Sequence, residues 1–147
     1  MFQKILCPVD GSDHALKAAK LACELAAKHG SKLTFLTVTK PLKMTAEVKH
    51  YIEVENLSGE PQYVLDQFTE NVLQQAKDAA RAQGVSDIKT EVKTGQPART
   101  IVQAAERGGF DTIVMGSRGL GDLEGFLLGS VAHKVASLAK CTVITVK

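Results

Sequence analysis

The fold class is decided by the stretch Ile5-Leu6-Cys7-Pro8-Val9-Asp10-Gly11-Ser12-Asp13. Its first five residues form a short apolar run, which is typical of a strand buried on both faces. Ser12 and Asp13 are suited to cap a helix, and small apolar residues then recur at helical spacing until Gly30. The stretch therefore predicts a buried strand that leads directly into a helix, the repeating unit of α/β proteins.

The same alternation continues to the end of the chain. Further strands are predicted at Leu33–Thr39, Ile88–Lys93, Thr112–Met115 and Cys141–Val146. Helices are predicted from Pro61 to Gly84, from Pro97 to Gly108-Gly109 and from about Ser130 to Ala139. Strands that alternate with helices pair in parallel, so residues 1–147 are predicted to form one doubly wound, Rossmann-like α/β domain with helices on both faces of the sheet.

The connection Lys40–Glu60 lacks such a pattern. It contains Pro41 and Gly59, and a short helix around Ala46–Val54 is the regular element that it suggests. Connections of this length are often functional. Two interpretations stay open, a lid over a site and a mobile loop.

Composition excludes several classes of protein. The 147 residues carry a formal net charge of +2 and the lysines are scattered, so no nucleic-acid partner is expected. The three cysteines form no CxxC pair, which argues against a disulfide framework or a zinc site and favours buried thiols. The apolar start is too short for a signal-peptide core, and no apolar run approaches the length of a membrane span. We therefore expect a cytoplasmic protein without membrane insertion.

A glycine-rich segment follows the predicted strand Thr112–Met115. Five glycines fall within fourteen residues and end directly before a predicted helix: Gly116, Gly119, Gly121, Gly125 and Gly129. Glycine lets the backbone approach a ligand closely, and a helix N-terminus attracts phosphate. Ser130 can cap this helix or donate its hydroxyl to a phosphate, and Arg118 can add a charged hydrogen bond. The alternative is a flexible turn followed by an ordinary N-cap, and neither GxxxxGK[ST] nor GxGxxG is present.

Asp10 lies at the end of the first strand, at the sheet edge where α/β proteins bind ligands. Its carboxylate would repel a phosphate but can accept hydrogen bonds from ribose hydroxyls. The phosphates would then lie across the gap, beside the glycine-rich segment, and the two features together predict a nucleotide over the switch point of the sheet. The alternative is that Asp10 caps the first helix, alone or with Ser12.

These residues resemble the universal stress protein family, whose ATP-binding members carry the motif G-x2-G-x9-G-[ST]. This chain reads Gly116-x2-Gly119-x9-Gly129-Ser130 without departure, and Pro8-Val9-Asp10-Gly11-Ser12 and the closing strand also match. The resemblance covers nearly the whole chain. It implies a five-stranded parallel sheet of order 3-2-1-4-5, and ATP with Mg²⁺ as the cofactor, with AMP as an alternative ligand.

The resemblance also assigns residues to the parts of the nucleotide. Adenine would be flanked by Pro8, Val9 and Val38, and the ribose would be held by Asp10. The ribose and phosphates would be surrounded by Met115, Gly116, Arg118, Gly119, Gly129, Ser130 and Val131. The resemblance implies neither metal ligands nor catalytic residues.

The last predicted strand has nothing after it that would cover its free edge. Exposed strand edges tend to pair. The resemblance implies an antiparallel homodimer through residues 141–147, and we also expect an unidentified protein partner.

A catalytic apparatus is not visible in the sequence. The four histidines lack the spacing of a metal site or a triad and are predicted to be solvated: His14, His29, His50 and His133. Asp122 and Glu124 are interpreted either as exposed loop acids or as contacts of Mg²⁺.

Three hypotheses follow: a non-catalytic ATP sensor in the stress response, a slow ATPase or nucleotide-transferring enzyme of the same fold, and a partner-binding module without nucleotide. The intact motif argues against the third and the lack of a placed base against the second.

Overall fold

The computed structural model describes residues 1–40, 61–120 and 128–147, and the isolated positions 46, 50 and 53. The predictions for the connection after Lys40 fall almost entirely outside these residues. Those for Gly121, Asp122, Glu124 and Gly125 also lie outside them.

In the described residues, five strands alternate with four helices. The strands are β1 Lys4–Pro8, β2 Lys32–Thr39, β3 Ile88–Thr94, β4 Thr112–Gly116 and β5 Thr142–Val146. The helices are α1 Asp13–His29, α2 Pro61–Ala82, α3 Pro97–Gly108 and α4 Ser130–Leu138. The predicted elements agree with these bounds to within two residues.

The five strands form one parallel sheet in the order β3-β2-β1-β4-β5. The predicted doubly wound sheet is therefore confirmed. The chain builds outward from β1 to β3 and then returns to place β4 on the other side of β1. The winding direction thus reverses between β1 and β4, which is where sheets of this kind bind ligands.

Side chains of the strands alternate between two apolar layers, because successive residues of a strand point to opposite faces. Ile5 and Cys7 of β1 pack against α1 and α2, whereas Leu6 packs against α3 and α4. Helices thus cover both faces of the sheet, as predicted. The buried face of α1 consists of small residues, which allow the helix to lie close to the sheet: Ala15, Ala18, Ala19, Ala22, Cys23 and Ala26.

The prediction of buried thiols is confirmed for two of the three cysteines, whereas Cys141 is only partly buried. Cys7 and Cys23 are buried and lie in the same apolar layer. Burial raises the pKa of Cys7 far above its ordinary value, and raises the pKa of Cys23 to about 11. Because the thiolate is the reactive form, neither group acts as a nucleophile at neutral pH.

β1 and β4 are paired at their start and separate towards their ends. The pairing joins Ile5 to Thr112 and Leu6 to Ile113. Beyond it the chain after β1 follows β2, since Val9 N donates to Leu36 O at 2.9 Å and Thr37 Oγ1 donates to Val9 O at 2.9 Å. The sheet therefore opens a crevice between the carboxyl ends of β1 and β4.

The opposite end of this strand pair is held together by Asp111. Its Oδ2 accepts hydrogen bonds from Gln3 N at 2.9 Å and Lys4 N at 3.2 Å, and its Oδ1 accepts one from Thr112 Oγ1 at 2.8 Å. Partial burial raises the pKa of Asp111, but these hydrogen bonds and the N-terminal ammonium outweigh that effect and lower the pKa below its ordinary value. The charged form of Asp111 therefore stabilises the fold.

The substitution Asp111→Asn should lower the free energy of unfolding at pH 7 by about 1 kcal/mol, because a neutral amide replaces the charged carboxylate that accepts hydrogen bonds from both strands. A depressed carboxyl pKa stabilises the fold above the unfolded value of about 3.9 and loses its effect as the pH falls through the folded value. Urea unfolding at pH 7 and at pH 3 would measure both effects. The difference from wild type should shrink at low pH, and Asp78→Asn on the exposed face of α2 is the matched control.

Candidate functional site

A pocket of about 370 Å³ occupies the crevice between the ends of β1 and β4. This volume lies in the range of small-molecule sites, roughly 300–1,000 Å³. The structure brings together in its lining every residue predicted for the site except Gly129: Pro8, Val9, Asp10, Val38, Met115, Gly116, Arg118, Gly119, Ser130 and Val131. Gly129 directly precedes Ser130.

Several lining residues were missed by the sequence reasoning. They are Ala15, Leu36, Lys40, Pro97, Ile101, Leu120 and Ala132. Lys40 follows the end of β2 directly, so its position at a strand end was a usable signal. Pro97 and Ile101 belong to α3, and only the packing of that helix against β2 brings them to the site.

Part of the pocket lining is an apolar slot, formed by residues of the sheet and of two helices. Leu36 and Met115 come from the sheet, Ile101 from α3 and Ala132 from α4, and all four belong to one apolar layer. Val38 packs against this layer. The slot therefore offers apolar contacts from the sheet and from the helices to a flat ring.

The start of α4 also lines the pocket, through Ser130 and Val131. Gly129 is the N-cap residue, with φ −66° and ψ 166°, and no described side chain caps the helix. The first hydrogen bond within the helix is donated by His133 N to Gly129 O. The backbone N–H groups of the helical residues before His133 have no partner within the helix and can bind an anion. The alternative that Ser130 is the N-cap is therefore wrong, since Ser130 is the first helical residue.

Asp10 bridges the two sides of the crevice. Its Oδ1 accepts a hydrogen bond from Ser12 N at 2.9 Å, and its Oδ2 accepts one from Leu120 N at 3.0 Å. The N-cap of α1 is Ser12, whose Oγ accepts from Ala15 N at 3.2 Å, so Asp10 supports the cap residue rather than capping the helix itself. A carboxylate has about four acceptor sites, so the two backbone bonds leave capacity for ligand hydroxyls.

Gly116 has a packing role that the sequence did not reveal. A Cβ on this residue would lie 2.8 Å from His14 C and 2.9 Å from Ala15 N. These are backbone atoms of the first turn of α1, which cannot easily move aside. The first glycine of the motif is thus required by the close approach of α1, whatever the ligand.

The prediction that the histidines are solvated is confirmed for His29, His50 and His133, which are exposed, whereas His14 is only partly exposed and has a partner that the sequence did not predict. His14 Nδ1 lies 2.9 Å from Ser117 Oγ, in a hydrogen bond between α1 and the glycine-rich segment. The contact joins residues distant in sequence, so no spacing rule could have found it. Ser117 itself is only 1% exposed.

Among the described residues that line the pocket, the charged ones are Lys40, Arg118 and Asp10. Lys40 and Arg118 are cations, which suit an anionic ligand. In the part of the chain that the structure describes, no group of three or more metal-binding side chains is present, and no helix has the length and hydropathy needed to cross a bilayer.

Comparison with known proteins agrees with this geometry. The sequence matches the universal stress protein family over residues 1–147. The chain belongs to the universal stress protein family. Universal stress protein MJ0531 of Methanocaldococcus jannaschii is 37% identical over all of this chain and 83% of its own length. Universal stress protein YxiE of Bacillus subtilis is 33% identical, with both chains covered completely.

Solved structures of universal stress proteins share the fold. The structure of the hypothetical protein MJ0577 has a TM-score of 0.80 at 30% identity and covers 100% of this chain and 96% of its own. A universal stress protein in complex with cAMP has a TM-score of 0.70 at 30% identity, with 99% and 96% covered. A universal stress protein from Archaeoglobus fulgidus in complex with dAMP, 21% identical, has a TM-score of 0.67, with 100% and 98% covered. The cAMP complex shows that a solved relative at 30% identity binds an adenine nucleotide, whereas the likeness to the dAMP complex, at 21% identity, shows the shared fold alone.

The substitution Gly116→Ala should lower the midpoint of thermal unfolding by about 2–10 °C. The added methyl group overpacks the contact with α1, which costs about 1–3 kcal/mol. Calorimetry without ligand would check this, and a wild-type midpoint for Gly116→Ala would contradict the close contact with α1.

Proposed function

We propose that this universal stress protein binds ATP in the crevice between β1 and β4 and acts as a non-catalytic nucleotide sensor in the stress response. The observation that carries the proposal is the combination of groups that line one pocket. Apolar residues of the sheet and helices, the carboxylate of Asp10 and the first turn of α4 line it together, and these groups suit the base, the ribose and the phosphates of a nucleotide. The cAMP held by a solved relative that is 30% identical supports the same ligand class.

The adenine would lie in the apolar slot. Val38 and Leu36 line it from β2, and Pro97 and Ile101 line it from α3. Adenine is planar and largely apolar on its faces, so contacts from two sides stabilise it without a demand for charge. This placement matches the adenine contacts that the family resemblance implies for Val38.

The ribose would contact Asp10. Both oxygens of Asp10 are held by backbone N–H groups, of Ser12 on one side and Leu120 on the other. The carboxylate is therefore fixed in position before a ligand arrives. Ribose hydroxyls would donate to its remaining acceptor sites.

The phosphates would lie against Gly119 and the start of α4. Ser130 and Val131 belong to the first turn of that helix, where N–H groups and the helix dipole favour negative charge. Arg118, which also lines the pocket, adds a cation that suits phosphate. AMP would use the same contacts with one phosphate.

Mg²⁺ would accompany ATP through the phosphates and water. Asp10 is the only carboxylate among the described lining residues, and its two oxygens already accept backbone hydrogen bonds. Magnesium commonly keeps several waters and binds to substrate phosphates through few protein ligands. The donor set is compatible with Mg-ATP and offers no dedicated metal cage within the described residues.

The absence of a placed general base among the described lining residues supports sensing rather than hydrolysis. Asp10 would contact the ribose, and the described residues of the lining include no histidine. A general base must lie within hydrogen-bonding reach of the attacking water. A slow ATPase is the alternative that a phosphate-release assay addresses directly.

Thermal unfolding with and without millimolar Mg-ATP tests the proposed ligand. A ligand at about 100 times its dissociation constant adds about 2.7 kcal/mol of stability, which raises the midpoint by about 5–10 °C for a domain of this size. AMP should also raise the midpoint, and GTP should have little effect. Gly119→Val is the variant control: it should unfold like wild type without ligand and lose the shift, because the side chain enters the space of the phosphates.

Either of two results would overturn the ATP assignment. One is an unchanged midpoint with every nucleotide, which would favour the partner-binding module. The other is an undiminished shift for Gly119→Val. Phosphate release at a rate above that of the Gly119→Val variant would instead favour the slow ATPase.

We further propose a homodimer through β5. The two edge strands of the sheet differ in charge, since β3 carries Lys89, Glu91 and Lys93 whereas β5 is the uncharged sequence Thr142-Val143-Ile144-Thr145-Val146. Charged side chains protect an edge from pairing. The uncharged edge at β5 therefore favours association there.

The direction of the backbone groups in β5 identifies the donors for such pairing. Thr142 N donates to Asp111 O at 3.2 Å and Val146 O accepts from Ser117 N at 2.7 Å, so both residues turn their backbone groups towards β4. Backbone groups alternate in direction along a strand. Val143 and Thr145 therefore direct theirs to the free edge.

The substitution Thr145→Pro should shift the protein from dimer to monomer without loss of the β4–β5 pairing, because proline removes an outward donor and is tolerated at edges. Sedimentation equilibrium would measure the molecular mass, and far-UV circular dichroism would verify the fold. Thr145→Val keeps the backbone donor and should remain dimeric. A wild-type protein that sediments as a monomer would contradict the proposed dimer.

A further inference from the structure

Ser117 joins three elements around the glycine-rich segment. Its backbone N donates to Val146 O at 2.7 Å, at the end of β5, and its backbone O accepts from Gly129 N at 2.6 Å. Its Oγ lies 2.9 Å from His14 Nδ1 in the first turn of α1. One buried residue therefore contacts the dimer strand, the cap of α4 and α1.

The bond between Ser117 O and Gly129 N closes the segment between them. Gly119 and Ser130 both line the pocket, and they follow these two residues closely in sequence. If Gly119 and Ser130 are to bind the same phosphate chain, the distance between them must match it. Because Ser117 is bonded to Gly129, a shift of Ser117 would change that distance.

His14 offers a rigid support for Ser117. It belongs to the first turn of α1, and the tight contact of that turn with Gly116 holds the helix against the end of β4. His14 does not line the pocket as the described residues define it. Its effect on the site would therefore pass through Ser117. Without the imidazole of His14, the buried hydroxyl of Ser117 would lose its side-chain partner.

We propose that His14 is a positioning residue of the nucleotide site, which holds Ser117 and through it the spacing between the Gly116–Gly119 turn and the start of α4. The inference rests on the proposed nucleotide function. It predicts an effect confined to ligands with phosphates, since the adenine slot is formed by other residues from β2 and α3.

Two substitutions of His14 separate the hydrogen bond from the ring. His14→Phe keeps a ring of similar size and removes the hydrogen bond. His14→Asn has an amide atom near the position of Nδ1 and can restore the bond to Ser117. Ser117→Ala removes the bond from the other side, and His133→Ala is a control at an exposed histidine of α4.

The first measurement is amide hydrogen exchange by NMR on the ligand-free protein. His14→Phe and Ser117→Ala should increase the exchange rate of the Gly129 amide about tenfold, because its acceptor is no longer held in place. The amide of Lys32, which donates to Gln3 O at 2.9 Å at the opposite end of the sheet, should be unchanged. His14→Asn and His133→Ala should exchange like wild type.

The second measurement is calorimetric binding of ATP, AMP and adenosine. His14→Phe should bind ATP about tenfold more weakly and leave adenosine binding unchanged, and His14→Asn should recover most of the ATP affinity. A loss that is equal for ATP and adenosine would indicate general destabilisation and would overturn the proposal. So would wild-type ATP affinity in both His14→Phe and Ser117→Ala.

The wild-type protein distinguishes failure of the proposed function from failure of this inference. If wild type binds no nucleotide, the nucleotide site is wrong, and the positioning role is overturned even where Gly129 exchange still depends on His14. If wild type binds ATP and the exchange of Gly129 does not depend on His14, only the positioning role is overturned.

Discussion

The pairing of β1 with β4 at one end only is the constraint on which the site depends. Asp111 holds the starts of the two strands together, whereas the end of β1 is bonded to β2 through Val9. Two strands that are joined at one end and drawn apart at the other must open a crevice at their carboxyl ends. The topology adds to this, because the winding direction of the sheet reverses between β1 and β4, which is where sheets of this kind bind ligands.

Small residues then determine how closely the helices approach that crevice. The alanine-rich face of α1 lies on the sheet, and Gly116 lets the first turn of α1 contact the end of β4. The same close contact brings His14 within hydrogen-bonding distance of Ser117. The packing of the core therefore also positions the glycine-rich segment. A change in the core layer beneath α1 would accordingly move Ser117 and the proposed phosphate site.

The structure also connects the pocket to the edge of the sheet. Ser117 is bonded to Gly129 at the start of α4 and to Val146 at the end of β5. A ligand that orders the start of α4 would therefore also affect β5 through Ser117, and β5 is the strand whose free edge is uncharged. Two backbone hydrogen bonds thus connect the proposed ligand site to the proposed dimer strand. Such a direct connection would allow the binding of a ligand to change the association of the subunits.

The sequence by itself determined the alternation of strands and helices and the residues at the strand ends, because these depend on local periodicity. It also determined the sheet order through the family resemblance, because that resemblance depends on a motif contained in one segment. It placed Asp10 and the motif glycines at one pocket, since the carboxyl ends of parallel strands meet at one edge. It did not reveal Pro97 and Ile101 in the slot, the packing role of Gly116, or the bond from His14 to Ser117. Those contacts join residues far apart in the chain, and only the packing of α1 and α3 on opposite faces of the sheet sets the distances between them.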